Sequence, residues 1–135
     1  MQYFIKPILL KNIEKEEYLM ADFTFRHQNE ATDSVTVNFS IEGDDLHKKI
    51  DSLVISSSSV AFATKRIELL FNEKSKRGYV SRYTTKVSLN DMRHLFGQGT
   101  WDYTIYNETL SNSFLPTPKS KKAISAINNN LFILM

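Results

Sequence analysis

The residues best suited to chemistry in this chain are scattered rather than clustered. Its three histidines, His27, His47 and His94, stand singly, with no His-x-x-x-His pair to grip a metal from one helix face. Asp44-Asp45-Leu46-His47 groups ligand types locally, but adjacent aspartates in a turn ordinarily cap or solvate it. Gly97-Gln98-Gly99 precedes a strand-like run and lacks the further Gly or Lys-Ser/Thr of a phosphate loop. Ser56-Ser57-Ser58-Ser59 has no nucleophile-elbow glycines around it and reads as a connection. Asp102 stands beside Trp101, yet a glycosidase needs a second acid across a cleft, and none is marked out. No catalytic residue, cofactor or metal ligand is assigned, and the chain is not expected to be an enzyme.

Binding chemistry is better represented. Trp101, Tyr103 and Tyr106 could form a stacking platform for a sugar ring or a base. Lys119, Lys121 and Lys122, together with Lys74, Lys76 and Arg77, could face phosphates. These six residues, Trp101, Tyr103, Tyr106, Lys119, Lys121 and Lys122, make the candidate binding surface. Against it, Trp101 and Tyr103 share the face that a buried strand turns inward, and a short lysine run is usually solvated. A carbohydrate-binding sandwich and a small nucleic-acid-binding barrel are therefore the alternatives, with nucleic acid disfavoured as a partner.

The elements that would position these residues are mostly strands. A chain of 135 residues with 41% hydrophobic and 24% charged side chains fits one globular domain, 1–135. Leu19, Ala21, Phe23 and Phe25 alternate with polar residues, as do Val35, Val37, Phe39 and Ile41. That period of two marks strands over 19–25 and 34–42, joined as an antiparallel hairpin by the polar stretch 27–33. Further strands are expected over 50–56, 60–72, 79–89 and 101–106, with residues 60–72 also compatible with a helix. A single helical turn is expected near 90–96, capped by Ser88 or Asn90 and stopped by Gly97 in a left-handed conformation. Residues 108–122 read as a polar loop, and 123–127 with 131–135 as a last hairpin or, alternatively, a C-terminal helix. The expectation is an all-β, mostly antiparallel single β-sandwich, immunoglobulin-like or jelly-roll-like.

The net charge of +2 gives no general pull towards nucleic acid. Its distribution is uneven, since residues 1–72 carry 8 basic and 11 acidic side chains and residues 73–135 carry 9 and 4. Such asymmetry can steer association. The chain has no cysteine, hence no disulfide chemistry. Its N-terminus lacks signal-peptide features and no stretch reaches the ~20 apolar residues of a membrane helix. Synthesis in the cytoplasm and no membrane partner are expected.

Residues 67–107 resemble the closing half of immunoglobulin-like β-sandwich domains in virion proteins of tailed bacteriophages. The likeness is carried by Arg82-Tyr83 opening an alternating strand and by Gly99-Thr100-Trp101-Asp102-Tyr103-Thr104-Ile105-Tyr106. The resemblance implies a non-catalytic structural protein that binds other protein subunits, as a homo-oligomer or within a capsid, neck or tail, and so a virion location. The apolar ends, Tyr3–Leu10 and Leu131–Met135, are then either docking segments or the first and last strands of the domain's own sheets.

Overall fold

A computed structural model describes residues 2–26, 34–44, 50–57, 60–76, 78–97, 101–107 and 110–129. The strands are β1 (Gln2–Asn12), β2 (Tyr18–Arg26), β3 (Ser34–Gly43), β4 (Ser52–Ser56), β5 (Ala61–Thr64), β6 (Glu68–Ser75), β7 (Gly78–Ser88), β8 (Asp102–Asn107) and β9 (Leu110–Pro116). Two helices, α1 (Leu89–Gly97) and α2 (Pro118–Ile127), complete the described elements. The strands join one sheet in the order β5-β4-β8-β9-β1-β2-β3-β7-β6, and every described pairing is antiparallel. The all-β, antiparallel expectation therefore holds. Neither helix is long and apolar enough to cross a membrane.

The two sequence-read strands form the expected hairpin partners, β2 and β3, in register from Tyr18 opposite Glu42 to Phe25 opposite Val35. Their alternation works as anticipated: Leu19, Ala21, Phe23, Val35, Val37, Phe39 and Ile41 are all buried. On the opposite face Arg82 of β7 crosses β3 to reach β2. It donates from Nη1 to Ser40 Oγ at 2.8 Å and from Nη2 to Asp22 Oδ2 at 2.9 Å, tying three adjacent strands together.

β1 is less legible because its pairing with β2 is interrupted. Ile5 faces Phe23 but Ile8 faces Ala21, so β1 carries one extra residue there. Pro7 lies within that bulge, where a residue lacking an N–H costs the ladder nothing. The bulge shifts the phase of the alternation, and no single period of two runs through 2–12.

The sheet curls back on itself. β3 and β8 are four strand spacings apart in the order, roughly 19 Å if the sheet were flat. The rings of Phe39 and Tyr103 nevertheless stand 5.9 Å apart. Trp101, Phe23 and Phe96 extend this aromatic core in mutual edge-on contacts of 5.5 to 5.9 Å. Each such pair contributes roughly 0.5–1.5 kcal/mol beyond its buried area.

The helices depart from the sequence reading. α1 is a nine-residue helix rather than a single turn. Ser88 Oγ accepts the Asp91 N–H at 3.1 Å, as the capping residue should, and Leu89, Met92, Leu95 and Phe96 point into the core. Gly97 ends the helix without a left-handed conformation; among the described glycines only Gly78 has positive φ.

Residues 110–122, expected as loop, are β9 and the first part of α2, and of the two readings open for 123–127, strand or helix, the structure has the helix. β9 was hidden by its polarity, since of Ser111, Asn112, Ser113 and Phe114 only Phe114 is buried. Its pairing with β8 and β1, not its composition, makes it a strand. Thr117 caps α2, accepting the Ser120 N–H at 3.2 Å, and Pro118 occupies the first turn, where its missing N–H costs no hydrogen bond. Residues 123–127 are thus helical, and the partner strand read over 131–135 lies outside the described residues.

Candidate interaction surface

Residues 60–72, read as one strand, are two. β5 pairs with β4, whereas β6 pairs with β7. The break at Lys65-Arg66-Ile67 lies beside β7. There Thr85 Oγ1 donates to the Arg66 carbonyl at 2.8 Å and lies 3.3 Å from Thr64 Oγ1. From that point β6 runs along β7 as the last strand of the sheet, back from Glu68 opposite Thr84 to Ser75 opposite Gly78.

β6 differs from the other strands whose burial is described. Each residue from Glu68 to Lys74 is exposed, so neither of its faces is covered. Among them Leu69, Leu70 and Phe71 are 39%, 49% and 40% exposed. A register shift between Leu69 and Phe71 makes Leu70 a bulge residue. Leu69 shares its rung with Tyr83 on the core-facing side, whereas Phe71 shares its rung with Arg82 on the outer side. Apolar side chains therefore project from both faces of an edge whose other side pairs with no described strand. Such an edge is a template for another strand.

A cleft of about 520 Å³ adjoins β6, lined by Ile50, Asp51, Lys65, Ile67, Leu69 and Tyr83, among others. Burial pushes the Tyr83 hydroxyl up to about 12, against a smaller opposing effect of the Ser81 side chain. At neutral pH that hydroxyl is neutral, and the lining also carries opposed charges in Asp51, Glu68 and Lys65. The chemistry offered is apolar contact with a polar rim, plus the backbone groups of the β6 edge.

The residues singled out from sequence lie elsewhere and do not converge. Trp101 and Tyr103 are 1% and 0% exposed, which removes them from any surface. The indole N–H and the Tyr103 hydroxyl have no hydrogen-bond partner among the described residues, and burial holds the Tyr103 proton well above its usual range. Tyr106 is exposed on β8. Lys119, Lys121 and Lys122 are exposed on α2 rather than in a loop. Lys121 lies near Asp102, opposing the upward shift that burial imposes on that carboxyl. Tyr106 is four residues further along β8, roughly 13 Å at strand rise. The ring is thus separated from the Lys121 end.

The remaining candidates have structural roles or lie outside the described residues. Ser57 closes a turn, its backbone N–H donating to the Val60 carbonyl at 2.7 Å and its hydroxyl accepting the Val60 N–H at 3.1 Å. His94 is exposed on α1, while His27 and His47 are outside the described residues. Among the described residues no group of three metal-ligating side chains occurs.

In comparisons with protein-family models, curated proteins and solved structures, no match was found. The sequence carried no distinguishing signal for β6: Leu69-Leu70-Phe71 is an unbroken apolar run, but so is Leu53-Val54-Ile55 of β4, whose Leu53 and Ile55 are buried.

Proposed function

We propose that this chain is a non-catalytic interaction module that docks on neighbouring protein subunits through β6. The observation that carries this reading is the exposed Leu69-Leu70-Phe71 on an edge strand with an unpaired side. Native proteins ordinarily shorten, cover or charge such an edge. Here it is eight residues long and apolar in the middle. The adjoining cleft supplies a place for a partner's side chain to anchor.

The setting we favour is assembly of a phage capsid, neck or tail, supported by the likeness of residues 67–107 to virion sandwich domains. An immunoglobulin-like or jelly-roll-like sandwich is the finer description we propose for the curled sheet. Its support is the face-to-face approach of β2 and β3 to the β8 segment through Phe23–Trp101 and Phe39–Tyr103.

Co-expression with the products of the flanking reading frames tests the function. A stoichiometric complex that survives size exclusion, and is lost in Leu70→Asp/Phe71→Asp, is the expected result. Absence of any complex, or a complex indifferent to that change, overturns the reading.

A further inference from the structure

We propose that the apolar segment 131–135 of a second copy of this chain adds as a strand to the open edge of β6. This rests on the interaction reading above and names its partner. Leu131-Phe132-Ile133-Leu134-Met135 is an unbroken apolar run beyond the described residues. Read as a strand, it had 123–127 as its hairpin partner, and those residues are helical in α2. The segment is thus left without that partner, while one side of β6 pairs with no described strand. Their side chains suit one another. Successive strand residues turn to opposite faces, so Leu131, Ile133 and Met135 would share one face and Phe132 and Leu134 the other. On β6, Leu69 shares its rung with Tyr83 on the core-facing side and Phe71 with Arg82 on the outer side. Whichever face the segment turns inward, it meets an apolar side chain of β6, so the bulge at Leu70 does not spoil the match. On the core-facing side the cleft of about 520 Å³ beside Leu69 and Tyr83 can take one of its side chains.

The place where α2 ends favours a second copy over the same one. Asn128 and Asn129 continue the helical winding, so Asn130 alone separates it from Leu131. α2 packs mainly on β1, β9 and α1, and β6 stands four strands beyond β1 in the sheet. One extended residue covers at most ~3.6 Å, a short tether for reaching the edge of its own β6. Each copy then offers one segment and one edge, two different surfaces, and the contact is head-to-tail.

The test is complementation between two broken copies, read by sedimentation equilibrium of the full chain over a concentration series. Leu70→Asp/Phe71→Asp breaks the edge and keeps the segment. Phe132→Asp/Ile133→Asp breaks the segment and keeps the edge. The wild type should self-associate, and each variant alone should do so at least about tenfold more weakly, because a carboxylate would enter the apolar contact. An equimolar mixture of the two variants should recover a one-to-one dimer, since one intact edge then meets one intact segment. Far-ultraviolet circular dichroism checks that both keep the fold. A strictly monomeric wild type overturns the inference, as does a segment variant that associates like wild type or a mixture no tighter than the variants alone. A segment variant that unfolds places 131–135 in its own core and overturns it too. A monomer that still forms a β6-dependent complex with another subunit fails the self-recognition alone. A monomer with no partner fails the interaction reading as well.

Discussion

Thr64 on β5 and Thr85 on β7 lie seven strand spacings apart in the sheet order, yet their hydroxyl oxygens are 3.3 Å apart. A flat sheet would hold them roughly 34 Å apart. Thr85 has one hydroxyl proton, and it goes to the Arg66 carbonyl at 2.8 Å. Thr64 is therefore the donor in the threonine pair, and its own oxygen accepts the Arg66 N–H at 3.3 Å. This ring of bonds fastens the curled sheet across a seam where β5 and β7 share no backbone ladder.

Removing the Thr85 hydroxyl should loosen that seam. Thr85 is buried, so Thr85→Val leaves the Thr64 donor and the Arg66 carbonyl without their partner. Loss of about 1–2 kcal/mol is expected in urea unfolding, with Thr85→Ser near wild type. Amide exchange should accelerate across residues 61–67 ahead of the rest of the sheet.

The turn that presents β6 depends on Gly78. Its φ of 125° is one that side-chain-bearing residues rarely adopt, and an added Cβ would collide with the Gly43 carbonyl oxygen. Gly78→Ala should cost about 1–3 kcal/mol. Hydrogen exchange should show the change concentrated in the β6–β7 hairpin.

Alkaline pH should unfold the protein through its buried tyrosines. The Tyr83 hydroxyl titrates near 12 when folded and near 10 when unfolded, so the folded state holds this proton more tightly. Its contribution to stability is complete below pH 10 and is lost as pH rises from 10 to about 12. Each such tyrosine adds at most about 1.4 kcal/mol per pH unit to the slope. Tyr103 shifts the same way and adds to the loss. Urea midpoints should fall steeply over that window in the wild type and less steeply in Tyr83→Phe.

Trp101 should behave as a core residue. It packs against Phe23, Phe96 and Tyr103, and Trp101→Ala should cost about 3–5 kcal/mol with loss of near-ultraviolet dichroism. Trp101→Phe should cost less than about half of that, because the indole N–H has no hydrogen bond to lose. Complex formation by the folded Trp101→Phe protein should match wild type, since the indole touches no surface.

What could be read from the chain alone was whatever depends on neighbours in sequence. Alternation through 19–25 and 34–42 determined two strands and their buried faces, because a strand turns successive side chains to opposite sides. A helix cap could be narrowed to Ser88 or Asn90, and the structure chose Ser88. Residues 110–116 could not be recognised as a strand, because Ser111, Asn112 and Ser113 have little β propensity and are held by ladders to β8 and β1. Nor could the break at Lys65–Ile67 be foreseen, since it exists only where a curled sheet brings β5 to Thr85. Tertiary structure alone also decided the candidate surface. Trp101 and Leu70 are both apolar, and only closure of the sheet buries the first and leaves the second on an open edge.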